Sequence, residues 1–265
     1  MTIAAGFVHR DGVLLCADTQ HETTTMKSHA TKLHQCEYWD GNIVFAYAGH
    51  SPFALSAIQL CMRRIKETHK GEDPVSIIEQ ILDREYRRVI YKHPDRLIDG
   101  TIVYQILFAV HRRSKSRTEL HVTHEVTRTQ EPFYASIGIG KPLTDYLVLP
   151  LFSAGQSEHD VICLATQVVA IAKEHVPACG GMSLLLSLRN DGTVRELFGD
   201  HLVNHLEANA GAYFMKAQRL LFQHVNSGMS DEDFQKNLDV FNEYVWRLRH
   251  KWNETWEKYR PRPIT

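Results

Sequence analysis

The sequence predicts an α+β fold in which two stacked β-sheets are covered on both outer faces by helices, followed by a C-terminal helical hairpin. Strand-like segments come in runs and helical segments in pairs, the order expected of a four-layer αββα sandwich. Apolar residues make up 43% of the 265 residues, enough to fill such a core. From about Gly199 the composition changes, so we expect a sandwich domain over residues 2–198 and a helical extension over 199–265.

The first fifty residues predict two β-hairpins. Apolar segments at 3–9 and 13–17 flank the Asp11-Gly12 pair, and segments at 32–39 and 42–48 flank Asp40-Gly41. An Asp-Gly pair between two such segments is a strong hairpin signal, because glycine accepts the positive φ of tight turns. The later strand-like runs include a last hairpin around Asn190-Asp191-Gly192: 101–111, 118–126, 132–139, 182–188 and 193–198.

Helical patterns separate these runs. The first ends near Gly71, and the second opens at Asp73-Pro74 with an apolar residue every three or four positions. A short helix is expected over 142–151. A longer one begins at Ser157, which forms a capping box with Asp160.

The C-terminal segment predicts two long helices, the second capped by Ser230 with Asp233. Apolar residues of this last helix alternate four and three apart, as in a heptad seam. They are Phe234, Leu238, Phe241, Val245, Leu248 and Trp252. The seam fits a hairpin packed on its own domain and a contact between subunits equally well.

Composition excludes several classes of protein. Thirty basic residues stand against 31 acidic ones, which argues against a surface for nucleic acid or anionic membrane. No apolar run approaches the roughly 20 residues of a membrane span. The five cysteines are odd in number, widely spaced and without a CxxC pair, which argues against a disulfide framework or a zinc ribbon. The N-terminal residues lack the pattern of a signal peptide, so we expect a cytoplasmic protein.

Sixteen histidines raise the question of metal binding. His121 and His124 stand three apart in a strand pattern, which puts them on opposite faces. His201 and His205 fit one face of a helix, but the glutamate of the HEXXH motif is absent. We therefore expect a packed or solvated helix there, with no metal and no cofactor.

Five short segments near the start of the chain carry a family resemblance: Thr2 to Gly6, His9 to Leu15, Ala17 to Thr19, Thr31 to His34 and Ala48 to His50. They resemble proteasome β-type subunits and their bacterial relatives, which are N-terminal nucleophile (Ntn) hydrolases. In that family the mature chain begins with threonine, and an aspartate follows sixteen positions later, as Asp18 follows Thr2. The likeness extends to about Leu197, and the final helical pair has no counterpart in the family core.

The resemblance implies a role for four residues. Thr2, exposed by removal of Met1, would be the nucleophile, and its own α-amine, with a pKa of about 7.7–8.0, the base. Lys32 would favour the alkoxide and disfavour protonation of the amine, and Asp18 would pair with and orient Lys32. The N–H of Gly49 would stabilise the oxyanion.

Each of these residues also has a structural explanation. Asp18 fits a turn after a strand, Lys32 a surface lysine on an edge strand, and Gly49 the junction between a strand and a helix. The resemblance puts Tyr47 at the base of the family's specificity pocket, which would then be shallow and favour small side chains. Packing between sheet and helix accounts for this tyrosine as well.

The sequence departs from the family around the N-terminal amine. Ile139 stands where active β subunits have a serine, and Val176 and Cys179 stand at their aspartate and second serine. The interval between Asp18 and Lys32 is two residues shorter than usual, which suggests a trimmed loop around 23–25. Supporting residues of this kind control the geometry of a catalytic group.

Three functions therefore stay open. The first is a threonine-type endopeptidase that assembles with copies of itself, in a ring-like homo-oligomer, and cuts peptide or protein substrates in an inner chamber. The second is a non-catalytic structural or regulatory subunit, and the third an amidase for a small amide. The resemblance does not identify an unfoldase partner.

Overall fold

The computed structural model describes residues 3–22, 27–91, 104–124, 126–197, 201–225 and 228–259. The chain divides into two compact units, Met1–Gly199 and Asp200–Thr265. Within the described ranges the first unit contains twelve strands and four α-helices, and the second contains two long helices.

Two five-stranded antiparallel sheets form the centre of the first unit. The first sheet has the order β10-β1-β2-β11-β12 and the second the order β5-β6-β7-β8-β9. The strands of the first sheet are β1 (Ile3–His9), β2 (Gly12–Asp18), β10 (Tyr134–Gly138), β11 (Ser183–Arg189) and β12 (Val194–Glu196). Those of the second are β5 (Leu33–Tyr38), β6 (Gly41–Gly49), β7 (Tyr104–Arg112), β8 (Arg117–His124) and β9 (Thr127–Glu131).

The two sheets face each other across a layer of small and branched apolar side chains. Val13, Leu15 and Ala17 of β2 belong to this layer, together with Val44 and Leu107 of the second sheet. Successive side chains of a strand point to opposite faces. The intervening residues of β2, Leu14 and Cys16, therefore point to the outer face of the first sheet.

Helices cover both outer faces. α1 (Ser51–Lys66) and α2 (Pro74–Glu85) pack on the second sheet through a core that includes Ile58, Ile78 and Phe108. α3 (Lys141–Val148) and α4 (Glu158–His175) pack on the first sheet. The predicted αββα sandwich is confirmed.

Local signals agree with the observed element ends. The two N-terminal hairpins form as predicted, with Ala4 opposite Ala17 and Leu33 opposite Ala46. The capping box of α4 is present, since the Ser157 side chain accepts from the Asp160 N–H and the Ser157 N–H donates to the Asp160 carboxylate. Because this box satisfies two backbone donors, it sets where the helix begins.

Three elements depart from the sequence prediction. A separate two-stranded sheet, β3 (Gln20–Glu22) with β4 (Lys27–His29), was not predicted and flanks the loop expected around 23–25, and β9 follows β8 as an unpredicted strand. These strands are short and polar, so they lack the alternation that identifies a half-buried strand. A π-helical turn over Tyr86–Tyr91 continues α2. Residues 23–26 of the predicted loop and 101–103 of a predicted strand lie outside the described ranges.

The second unit is a pair of packed helices, α5 (His201–Gln223) and α6 (Asp231–Tyr259). The predicted cap is present, with the Asp233 N–H donating to Ser230 Oγ at 3.1 Å. The predicted seam is the less exposed side of α6, where Trp252 is buried. Across the described helices of the chain, none has the length and apolar character required to cross a membrane.

Candidate active site

The site is centred on Asp18, which ends β2 and is fully buried. Its Oδ1 accepts from Lys32 Nζ at 2.7 Å and from the Ile3 N–H at 3.2 Å. Its Oδ2 accepts from the N–H groups of Gln20 at 3.3 Å and Gly180 at 2.9 Å. The Asp18 carboxylate thus hydrogen-bonds to the start of β1, to β3, to the loop between α4 and β11 and to Lys32.

Lys32 lies directly before β5 and is 0% exposed. Besides Asp18, its ammonium donates to the carbonyl oxygen of Gln20 at 2.5 Å. Burial lowers the pKa of Lys32, and the charge of Asp18 and its hydrogen bond oppose that shift. A buried ammonium is strongly destabilising without a paired carboxylate, so each charge requires the other.

The structure contradicts the purely structural explanation of Lys32 and agrees with that of Asp18. A surface position for Lys32 is wrong, because the side chain is buried and paired. Asp18 does make the turn contact, since it accepts the N–H of Gln20 two positions on. The turn and the ion pair coexist at this carboxylate.

Gly49 ends β6 directly before the residue that caps α1, so it also fits the strand–helix junction. Its φ of 97° lies in the left-handed region, where residues with a Cβ are strained. Because Leu33 pairs with Ala46, the end of β6 and the start of β5 lie at the same end of the second sheet. Gly49 and Lys32 therefore border the same region, whereas Thr2 lies outside the described residues.

The residues that depart from the family pattern have three different environments. Ile139 is 44% exposed, and Val176 is half-buried at the end of α4. Cys179 is buried, and burial first and the charge of Asp18 second raise the pKa of its thiol to about 12. A thiol of this kind stays protonated near neutral pH, so Cys179 fits a small packed residue better than a nucleophile.

Sequence reasoning missed a group of polar side chains beside Gly49. Ser51, the first residue of α1, hydrogen-bonds His21 Nδ1, and the hydroxyl of Tyr47 lies 3.4 Å from His21 Nε2. Burial, with the charge of Lys32, lowers the pKa of His21 to about 4, so this imidazole is neutral near pH 7. These contacts join segments about thirty positions apart, which no local pattern in the sequence signals.

Tyr47 is fully buried and belongs to the core beneath α1. Its ring also stacks with that of His34, with ring centroids 6.1 Å apart. Packing between sheet and helix therefore describes the tyrosine, and its hydroxyl reaches the polar group around His21.

The histidines do not form a metal centre in the described part of the chain, where no group of three or more suitable side chains is arranged to hold an ion. His121 is buried and His124 exposed, in agreement with their predicted opposite faces. His205 is half-buried on α5 and lies 3.4 Å from the amide nitrogen of Asn209.

Two facing antiparallel sheets with paired helices on each outer face define a proteasome-like fold. Among solved structures, the chain is similar to Anbu (ancestral β-subunit) from Yersinia bercovieri, with a TM-score of 0.68 and 11% identity, covering 82% of this chain and 96% of that one. Anbu from Hyphomicrobium sp. strain MC1 gives a TM-score of 0.67 and 13% identity, over 85% and 98%.

The helical assembly of the Anbu complex from Pseudomonas aeruginosa matches with a TM-score of 0.68 and 12% identity, over 83% of this chain and 96% of that one. No protein-family model matches the sequence, and none of the curated proteins compared with it does either. At such identities the likeness establishes the fold.

Proposed function

We propose that the chain is an N-terminal threonine amidohydrolase, a peptidase that works as a self-assembling proteasome-like subunit. One observation carries this proposal: the Asp18 carboxylate, fully buried and paired with Lys32, accepts the backbone N–H of Ile3, the residue that follows Thr2. A purely structural role does not require a lysine that is buried directly before β5 and linked through Asp18 to the residue after Thr2.

Covalent geometry supports the proximity of the amine to this pair. In a chain that begins at Thr2, the α-amine is three bonds from the Ile3 nitrogen, so the two lie within ~4 Å in any conformation. The Ile3 nitrogen is 3.2 Å from Asp18 Oδ1, which in turn is 2.7 Å from the Lys32 ammonium. The amine of a processed chain is therefore held in the field of the buried lysine.

The proposed reaction needs only groups of this chain. The Thr2 hydroxyl attacks the carbonyl carbon of the scissile amide while the α-amine accepts its proton. The N–H of Gly49 stabilises the resulting oxyanion. The tetrahedral intermediate then breaks the C–N bond, and the leaving nitrogen takes the proton from the α-ammonium. Water, deprotonated by the same amine, hydrolyses the acyl-threonine ester and regenerates Thr2.

Intact mass with an inhibitor tests the proposal. The processed protein should lack Met1 and gain one adduct at Thr2 from a threonine-directed epoxyketone or β-lactone, and it should cleave peptides. Thr2→Ala should gain no adduct, whereas Thr127→Ala, at an exposed position of β9, should label as the wild type does. A processed protein that never labels contradicts the proposal, as does an adduct that moves to Cys179.

The second candidate is a non-catalytic structural subunit. It is favoured by the apolar Ile139 and Val176, and by the neutral thiol of Cys179, at positions where the family's active members carry polar groups. A processed, assembled and unlabelled protein would select this function. Labelling without peptide cleavage would instead select the small-amide enzyme.

We further propose that the chain assembles with copies of itself, in a ring-like homo-oligomer in the cytoplasm. A solved neighbour in fold is described as a helical assembly. Large apolar side chains at and after α3 are exposed in the isolated chain, which suits a surface that is covered in an oligomer. They are Tyr146, Leu149 and Leu151. Light scattering after size exclusion gives the oligomer mass, and a monomer at all concentrations would contradict this part.

A further inference from the structure

A buried glutamine connects β3 to the loop between α4 and β11. Gln20 is the first residue of β3 and is only 7% exposed. Its side-chain Nε2 donates to the carbonyl oxygen of Pro177 at 3.2 Å. Pro177 directly follows Val176, the residue that caps the C-terminus of α4. The resemblance in sequence gave Gln20 no role, yet its side chain joins two segments that meet at the site.

The backbone of Gln20 belongs to the ion-pair site itself. Its carbonyl oxygen accepts from Lys32 Nζ at 2.5 Å, and its N–H lies 3.3 Å from Asp18 Oδ2. The same N–H donates to the carbonyl oxygen of Gly180 at 3.0 Å, while the Gly180 N–H donates to Asp18 Oδ2 at 2.9 Å. Gln20 therefore contacts the lysine and the carboxylate through its main chain, and the loop through both its main chain and its side chain.

Gly180 makes room for the carboxamide of Gln20. A Cβ at position 180 would lie 2.2 Å from Gln20 Oε1 and 3.1 Å from Gln20 Cδ, which is too close for the atoms to stay where they are. The backbone of Gly180 is not in the left-handed region. Close packing of the carboxamide against the loop, rather than backbone strain, therefore accounts for a glycine at this position.

A neutral side chain suits this contact. Val176 stands where active β subunits have an aspartate, and its apolar side chain cannot hydrogen-bond to β3. Its carbonyl oxygen accepts the Cys179 N–H at 2.8 Å, so the loop begins with a tight turn. A charged side chain at position 20 would add an unpaired charge beside a buried ion pair, which is costly. An amide donates to a carbonyl oxygen and adds no charge.

We propose that Gln20 is a positioning residue of the site: its side-chain amide holds the loop between α4 and β11 against β3, and so keeps in place the two oxygens that bind the Lys32 ammonium. These oxygens are the Gln20 carbonyl oxygen and Asp18 Oδ1. Supporting contacts of this kind keep a functional group in its working geometry. The inference rests on the proposed function for what Lys32 does in the reaction.

The experiment measures how well Lys32 is protected, and it needs no catalysis. The folded protein is treated briefly with isotope-coded acetic anhydride, and mass spectrometry gives the acetylation rate of each lysine. Hydrogen exchange of residues 178–182 is measured in parallel. Gln20→Met keeps the side-chain length and the main-chain carbonyl but removes the donor. It should raise both rates about three- to tenfold, as expected for the loss of one neutral hydrogen bond, and leave acetylation of the exposed Lys70 unchanged.

Two further variants complete the test. Gly180→Ala displaces the carboxamide without altering Gln20 and should raise both rates as well. In a Gln20→Ala background it should add nothing, because the new carbon then meets only the Cβ of position 20, at an ordinary 3.6 Å. Gln156→Met is the matched control. It removes an amide that donates to the carbonyl oxygen of Leu151 at 3.0 Å, and it should change neither rate.

Three results would overturn the proposal. The first is unchanged protection of Lys32 in Gln20→Met. The second is faster exchange of the loop with unchanged acetylation of Lys32, because the loop then moves without affecting the lysine. The third is an equal rise of both rates in Gln156→Met, or a further rise when Gly180→Ala is added to Gln20→Ala, since the effect would then not come from the Gln20 amide.

The two proposals fail separately. If the inhibitor never labels Thr2 but Lys32 loses protection in Gln20→Met, the hydrolase is wrong and the role of Gln20 stands. If Thr2 labels normally while Lys32 keeps its protection in the variant, the hydrolase stands and the role of Gln20 is wrong. Where both hold, Gln20→Met should lower the first-order rate constant of acylation by about threefold or more and leave the Kd of the reversible inhibitor complex unchanged, because a misplaced lysine affects the chemical step. A wild-type rate constant with lost protection would overturn the role of Gln20 in the reaction.

Discussion

The first sheet carries a buried ion pair at each end of the same two strands, and the two pairs differ in what surrounds them. At one end Asp18 binds Lys32, and both side chains are almost completely shielded from solvent. At the other end Glu158 of α4 binds Arg189 of β11, whose side chain is 29% exposed. The strands β2 and β11 pair continuously between these ends.

The Glu158 pair joins neighbouring elements and leaves its cation partly in water. Glu158 accepts from Arg189 Nε at 3.3 Å and from Ser187 Oγ at 2.5 Å, so α4 is fastened to β11. Asp18 instead collects backbone donors from separate segments, one of them at the first strand of the chain. A buried ion pair alone does not indicate catalysis. The two pairs differ because the Lys32 ammonium is shielded from solvent and shares the Asp18 carboxylate with the N–H of Ile3.

Removing each cation tests this difference most strongly. Lys32→Met should destabilise the fold by about 3–5 kcal/mol, because Asp18 stays buried without its countercharge, and it should abolish labelling of Thr2. Arg189→Met should cost only about 1–2 kcal/mol and leave labelling intact, because Glu158 keeps the hydrogen bond from Ser187 and a second cation, Arg195, whose guanidinium lies 3.9 Å away. Urea unfolding and inhibitor labelling measure both effects. If Lys32→Met and Arg189→Met reduced labelling of Thr2 equally, the Asp18–Lys32 pair would have no special role in labelling.

The pH dependence of stability tests the Glu158–Arg189 pair separately from the Asp18–Lys32 pair. Burial alone raises the pKa of Glu158, but the hydrogen bonds from Arg189 and Ser187 outweigh it and hold the pKa below its ordinary 4.5. A carboxyl with a depressed folded pKa stabilises the fold above its unfolded pKa, and this contribution is lost as pH falls through the folded value.

Glu158→Gln should therefore lower the Tm at neutral pH, by the equivalent of about 1–2 kcal/mol, without slowing labelling of Thr2. The difference in Tm between wild type and variant should shrink as the pH falls below about 4.5, where the wild-type carboxyl takes up its proton. Thermal unfolding in a pH series measures it. A difference that stays constant down to acid unfolding would show that the carboxylate charge contributes nothing.

Two glycines with similar backbone angles separate strain from function. Gly49 has a φ of 97° beside the site, and Gly71 has a φ of 101° in the α1–α2 loop, where an added Cβ meets nothing within 4 Å. Replacing either by alanine should cost about 1 kcal/mol through strain. Only Gly49→Ala should slow acylation of Thr2, by about tenfold or more, because alanine keeps the N–H but disfavours the left-handed backbone that directs it at the oxyanion. Equal labelling rates for the two variants would show that acylation does not depend on the backbone conformation at Gly49.

Local chemistry in the sequence predicts the framework well. Asp-Gly turns, apolar alternation and capping side chains act over a few residues, so they predict β1, β2, β5 and β6 and the start of α4. Strands such as β9 are not predicted because their residues are polar and show no alternation. An edge strand of this kind forms because the neighbouring strand offers free backbone groups.

The site was predictable only in part. Resemblance to a family selected Asp18 and Lys32, whose pairing the structure contains, and it also selected Thr2, whose role stays a prediction. The bond between Ser51 and His21 and the approach of Lys173 to Ser183 depend on how α1 and α4 pack on the sheets. Such contacts follow from register and packing, which no periodicity in the sequence encodes.

The hydrogen bond from Gly180 to Asp18 joins positions 162 residues apart, and this has a consequence for biosynthesis. The ribosome makes Asp18 early, but the carboxylate of this residue receives the N–H of Gly180 only when most of the sandwich has been translated. Contacts of such long sequence separation form late in folding. The hydrogen-bond set of Asp18 is thus incomplete until position 180 has been translated and the loop between α4 and β11 has packed against β2.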